Sequence, residues 1–197
     1  MAGRGARLHR RGLLAGGSAL ALGAVLPASA RTAFDAFLAD VAAEARAAGV
    51  AAATVRRGLA DLEPDARVID LDRRQPEGRL TFANYRARVV SRARIDTGRE
   101  RVRTHRALLT RMTERYGVSW RVLTAIWGIE SSFGRVTGDF DIVRSLATLA
   151  HDGRRRELFT RELIAALAVL DRTPLRRAEL TGSWAGAMGQ AQFLPST

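Results

Sequence analysis

The chain has 197 residues, of which 47% are hydrophobic and 26% charged; that is enough apolar material for one domain with a sizeable core and too much for a disordered chain. The net charge of +12 comes from 32 basic against 20 acidic residues, and every basic one is arginine, so a composition bias toward arginine and alanine accounts for it as readily as a polyanion-binding surface. The absence of cysteine excludes a disulfide framework, a thiolate metal site, a cysteine nucleophile and a lipid-modified cysteine.

Residues 1–30 read as an address. A basic start, an apolar run from Leu13 to Leu26 and the small-residue site Ala28-Ser29-Ala30 predict a secretory signal cleaved after Ala30, and Arg10-Arg11 resembles a twin-arginine export pair. The apolar run is short and glycine-rich for a membrane span. The mature chain, residues 31–197, is therefore expected to be periplasmic or secreted, with no integral membrane segment after signal cleavage.

Nearly every later segment has helical spacing, so the fold class expected is mainly α. Phe34 to Ala48 stops at Gly49, and a second short helix covers about Ala51 to Leu62. Val68 to Asp72 and Gln75 to Gly78 read as an extended connection, the one place for a short strand. Phe82, Tyr85, Val89 and Val90 mark a third helix; a basic run then leads from Gly98 through Leu109 and Met112 to Gly117. Its arginines read as a solvated face with local pairs such as Glu100 with Arg103.

Ser119 is a natural N-cap for the stretch Trp120 to Gly134, read as the central helix. Val122, Ile126 and Glu130 are four residues apart and share one face, which Leu123 and Trp127 broaden toward the core. An acid against such a stripe, in the last turn of a helix, is pressed toward its protonated form by lost hydration and by the helix dipole. Glu130 is thus a candidate proton donor; the alternative is an ordinary exposed acid at a helix end. Gly128 allows another backbone to approach, and Gly134 can end the helix in a left-handed conformation.

Asp139 and Asp141 are the nearest acids beyond Glu130, candidates for a second catalytic carboxylate, although Asp141 before Ile142 also stands where a cap would. A helix from Ile142 to Ala150 puts Leu146 and Leu149 inward. Arg154, Arg155 and Arg156 in the break that follows suit the carboxylates of a ligand, or else form a solvated basic turn. Glu157 to Leu170 is another amphipathic helix. In the last stretch, which also holds Phe193, glycines near Ser183, Met188, Gln190 and Gln192 let backbone approach a ligand, while the amides and the hydroxyl offer the donors and acceptors that sugar recognition requires. Ser183 has no base partner, since the histidines are His9, His105 and His151, and no HExxH, P-loop or GxGxxG pattern appears. No metal or cofactor is expected within these residues.

AIWGIESSFG (Ala125 to Gly134) and GSWAGAMGQAQFLPS (Gly182 to Ser196) closely resemble the lytic murein transglycosylase B family. AAGVAAATVRRGL, VIDLDRRQPE and YGVSWRVLTAIWG resemble it too, so the likeness covers essentially the whole mature chain. The resemblance implies a lysozyme-like, mostly helical catalytic domain of the cell envelope. Its partner would be peptidoglycan glycan strands and not nucleic acid, and its reaction cleavage of the β-1,4 bond between N-acetylmuramic acid and N-acetylglucosamine. It assigns Glu130 the place of the catalytic acid, Ser183 a place near it, Gln192 one in the saccharide groove, and Arg154-Arg155 the peptide side of the substrate. The family domain continues past the Pro-Ser motif into a segment that can hold a calcium loop and groove-lining aromatics. This chain, which stops at Thr197, is accordingly expected to lack the C-terminal part of the domain.

With one strong carboxylate instead of the usual two, the mechanism expected is a transglycosylation in which the sugar's own 6-hydroxyl attacks, Glu130 serving as acid and then base. The acetamido group of the substrate stabilises the cationic intermediate, as the resemblance suggests. The alternatives are a hydrolytic muramidase using Asp139 or Asp141 and a non-catalytic basic module for peptidoglycan or another polyanion.

Overall fold

Short polar side chains start most helices of the computed structural model, which describes residues 28–75 and 81–197. The expected leader lies, up to residue 27, outside the described residues, as do Pro76 to Leu80. Among the described residues the architecture is mainly α, with helices α1 (Ala28–Ala47), α2 (Ala52–Leu59), α3 (Ala66–Arg73), α4 (Phe82–Val89), α5 (Arg92–Thr104), α6 (Arg106–Tyr116), α7 (Trp120–Ser131), α8 (Ile142–Asp152) and α9 (Arg156–Arg172). Asp65, Thr81, Ser91, Ser119 and Asp141 each accept a backbone N–H of the following first turn, satisfying donors that a helix start leaves open. No helix among the described residues is long and apolar enough to cross a membrane.

The central helix is α8 and not α7. Ile142, Val143, Ser145, Leu146, Ala147, Thr148, Leu149 and Ala150 are all buried, the pattern of a helix enclosed on every side. Its small residues let α9 approach closely, and α1, α2 and α3 complete the shell through Phe34, Val41, Ala45, Val55 and Val68. Burying each of the larger aliphatics here contributes about 1.5–3 kcal/mol.

The connection expected to be extended at Val68 to Asp72 is helix α3 instead. Its Asp65 cap, the full burial of Val68 and the near-full burial of Asp72 against α8 and the turn before α9 outweigh the β-branched propensity of the segment. The strands lie elsewhere: β1 (Phe140–Asp141) and β2 (Thr181–Gly182) pair antiparallel, Phe140 opposite Gly182 and Asp141 opposite Thr181. This short ladder joins the loop after α7 to the C-terminal stretch. Both sides depend on glycine: a Cβ on Gly138 would stand 2.1 Å from the Gly182 carbonyl oxygen, and one on Gly182 2.2 Å from that of Ala187, separations at which backbone would have to move.

Helices α5, α6 and α7 pack on one another; together with the turn after α7 they contribute only Leu109 and Phe133 to the buried apolar set. No residue of α4 is buried, and Phe82 is 77% exposed.

Candidate active site

Helix α7 buries Thr124, Gly128 and Ser131, whereas Val122 is 49% and Ile126 44% exposed. The expected apolar stripe around Glu130 therefore faces outward, and Glu130 itself is exposed; the core accepted the small-residue face, which lets α7 settle closely on α5. The space at Gly128 is filled by the Phe133 ring and not by another backbone, since a Cβ there would lie 2.6 Å from Phe133 Cζ.

The helix ends at Ser131 with Ser132 as its cap, two residues earlier than a Gly134 cap requires. Ser132 (φ 50), Phe133 (φ 62) and Gly134 (φ 81) are all left-handed, which strains the two residues that carry a Cβ by about 1–2 kcal/mol each. Local bonds hold the turn: the Phe133 N–H donates to the Trp127 carbonyl at 3.1 Å, Val136 to Ser131 at 2.9 Å, and Gly134 to the Ser131 hydroxyl at 2.9 Å. Phe133 is thereby folded back over α7, its ring meeting Trp127 edge-on at 5.5 Å. Glu130 stands at the start of this turn.

Trp127, three residues before Glu130 and so its neighbour on the helix surface, donates from Nε1 to Gln190 Oε1 at 2.6 Å. The Gln190 amide also fills the space beside Gly134. These contacts bring the C-terminal stretch up to the helix turn that carries Glu130. Met188 bridges to Gly182 and Phe193 and packs on the core from a half-buried position. The Ser183 hydroxyl accepts from the Ala187 N–H at 3.0 Å, which leaves its own hydrogen to donate. Gln192, itself left-handed at φ 52, donates from Nε2 to the carbonyls of Thr137 (3.0 Å) and Gly189 (2.8 Å). The two amides are thus fixed in opposite senses: Gln190 has its NH2 and Gln192 its carbonyl oxygen left for a ligand. Phe193, 58% exposed, offers an open ring face.

Two expected groups have other partners. Arg154 donates to Asp72 Oδ2 at 2.9 Å and Arg155 to Asp72 Oδ1, so the pair ties α3 to the start of α9 around a carboxylate that is 3% exposed. Asp141 caps α8 through the Arg144 N–H (3.1 Å) and pairs with Arg177 at 3.1 Å; its oxygens are engaged. Asp139 is exposed. No group of three or more His, Asp or Glu side chains that could hold a metal ion occurs among the described residues.

Glu162 was not singled out from the sequence. It is 2% exposed on α9 and accepts from both the N–H (3.0 Å) and the hydroxyl (2.8 Å) of Ser196, anchoring the end of the amide-rich stretch in the core. The signal was present: Phe159, Glu162, Leu163, Ala166 and Leu167 lie on one buried helix face with an acid among them. Trp127 carried no such mark, because its bonded partner lies 63 residues away.

A family model described as a transglycosylase SLT domain matches residues 33–197. The membrane-bound lytic murein transglycosylase B of Escherichia coli (strain K12) is 34% identical over 117 residues, 59% of this chain and 32% of that protein. Among solved structures, SltB3 from Pseudomonas aeruginosa in complex with NAG-NAM-pentapeptide is 37% identical with a TM-score of 0.77, over 83% of this chain and 44% of that one. SltB1 from Pseudomonas aeruginosa is 32% identical with a TM-score of 0.73, over 81% and 54%. The Escherichia coli lytic transglycosylase Slt35 in complex with bulgecin A is 28% identical with a TM-score of 0.69, over 83% and 52%. The chain thus spans about a third of the curated relative and about half of the solved ones.

Proposed function

This mainly α, lysozyme-like chain belongs to the lytic murein transglycosylase B family, and from that premise we propose that it cleaves the β-1,4 MurNAc–GlcNAc bond of peptidoglycan by transglycosylation. The relative solved with NAG-NAM-pentapeptide supports a glycan strand bearing peptides as the substrate, and the leader-like residues 1–30 support a place in the cell envelope. The Gln190 amide NH2, the Gln192 carbonyl and the Ser183 hydroxyl hydrogen face the saccharide as donor, acceptor and donor, with the Phe193 ring against a sugar face.

Glu130 gives its proton to the glycosidic oxygen as the bond from that oxygen to the muramyl anomeric carbon breaks. The muramyl 6-hydroxyl oxygen then bonds to the same carbon and its proton passes to Glu130, which regenerates the acid. A 1,6-anhydro-muramyl end results and no water is consumed. The observation that supports this reading is the engagement of Asp141 by Arg144 and Arg177, which gives one of the two candidate second carboxylates a capping role.

Glu130→Gln is expected to keep saccharide binding and lose turnover by about a hundred- to ten-thousandfold, because the amide neither donates the acid proton nor accepts one back. Mass spectrometry of peptidoglycan digested in heavy-oxygen water gives the reaction type. Anhydro ends without heavy oxygen are expected; heavy oxygen at new muramyl ends would mean that water attacks, with Asp139 as the remaining second carboxylate.

A further inference from the structure

We propose that the concavity between α5 and the left-handed turn after α7 is a second binding site, one that takes a carboxylate of the peptide carried by the glycan strand. The proposal rests on the peptidoglycan reading above and adds to it a place for the peptide. The cavity measures about 450 Å³. Arg94, Thr97 and Arg101, spaced as neighbours on one face of α5, form one wall; Ser132, Gly134 and Arg135 form the other, over the Phe133 ring. Three guanidinium groups line it and no carboxylate does.

The acids of α5 are held elsewhere: Asp96 pairs with Arg92 and Arg99, and Glu100 with Arg103. Arg94 is anchored by donation to the Val89 carbonyl. Arg101 Nε is the one buried side-chain nitrogen or oxygen without a hydrogen-bond partner among the described residues, and a buried donor left unmet is costly. That atom is closed to solvent, so a forked oxyanion in the cavity would meet the other N–H groups of Arg94, Arg101 and Arg135, in the geometry guanidinium groups prefer.

Position favours a carboxylate on the substrate over a free anion. Ser132 is two residues beyond Glu130, and Gly134, which lines the cavity, carries the Gln190 amide against it. A ligand in the cavity and a saccharide on the amide loop are thus separated by little more than one glycine. The Arg154-Arg155 pair, by contrast, shares its positive charge with the Asp72 carboxylate.

The test measures binding to the full chain of the free pentapeptide, the same peptide with its carboxylates amidated, and inorganic phosphate, read from the amide resonances of Ser132 to Gly134. The free peptide should bind about tenfold or more tightly than the amidated one, as expected for loss of a charge-assisted pair. Arg101→Gln and the exposed Arg135→Gln should each weaken the free peptide by a similar factor and leave the amidated one unchanged. Equal affinity for the free and amidated peptides, or no effect of either variant, would overturn the site. Phosphate competing as well as the peptide would overturn its assignment to the substrate's peptide. Because the pentapeptide has no glycosidic bond, its binding is independent of turnover: binding without glycan cleavage supports this site while sinking the proposed reaction, and cleavage indifferent to the peptide carboxylates does the reverse.

Discussion

His151 shows how one side chain couples the core to pH. It lies in the last turn of α8 between Phe34, whose ring it meets edge-on at 5.1 Å, and Phe37 at 5.6 Å, with Arg156 over the Phe37 ring. Burial is the main cause that pushes its pKa down, the Arg156 cation adds to it, and Asp152 opposes. The unfolded chain therefore binds the proton more readily than the folded one. This contribution to stability is full above about pH 6.5 and is lost as pH falls below it. Asp65 acts lower on the scale: the Arg67 side chain, as its main partner, holds the carboxyl below its usual range, giving stability that is present above about pH 4 and lost as pH falls through the folded value. The melting temperature should accordingly decline between pH 7 and 5, and His151→Phe should flatten that interval while leaving the drop below pH 4. An unchanged slope in the variant would show that other groups carry it.

Among elements, the amide-rich stretch has little apolar burial of its own and is tied to the rest by the β1–β2 ladder, the Trp127–Gln190 and Gln192–Thr137 bonds and the Glu162–Ser196 anchor. Glu162→Gln keeps the shape but replaces one acceptor oxygen with an NH2 that opposes the Ser196 N–H. Stability should fall by about 1.5–3 kcal/mol, the range for hydrogen bonds to charged groups, and amide exchange should quicken from Phe193 to Ser196. A shift in the denaturation midpoint at constant slope reports the first effect; unchanged exchange at the tail would mean that Glu162 anchors nothing.

For the whole molecule, burial is uneven. The helices α1, α2, α3, α8 and α9 share one core, whereas α4 to α7 leave Phe82, Tyr85, Leu108, Tyr116, Val122 and Ile126 exposed. Local opening costs least where few apolar contacts are lost. Hydrogen exchange should therefore be slowest in α8 and α9, faster in α5 to α7 and fastest in α4. Uniform protection across all the described helices would show a single cooperative unit. Glu130 lies on the less protected side of this division and the Gln190 and Gln192 amides on the other; the Trp127–Gln190 bond, the Gln192–Thr137 bond and the β1–β2 ladder together hold the two in register.

Helical spacing, caps and glycine stops made most elements legible along the chain, because these are local effects: Ser119 and Asp141 cap where they were expected to, and Glu100 pairs with Arg103. The motif around Glu130 and the polar character of Gly182 to Ser196 were legible for the same reason. The tertiary structure alone decided which apolar faces are inside. The Val122–Ile126 stripe is outside, and α8 took the centre, because Ala147, Ser145 and Ala150 permit close approach where larger side chains do not. It also decided which charges have partners. Asp72 engages Arg154 and Arg155 across more than 80 residues of chain, and no local pattern encodes a pairing made only when α3 docks on α8.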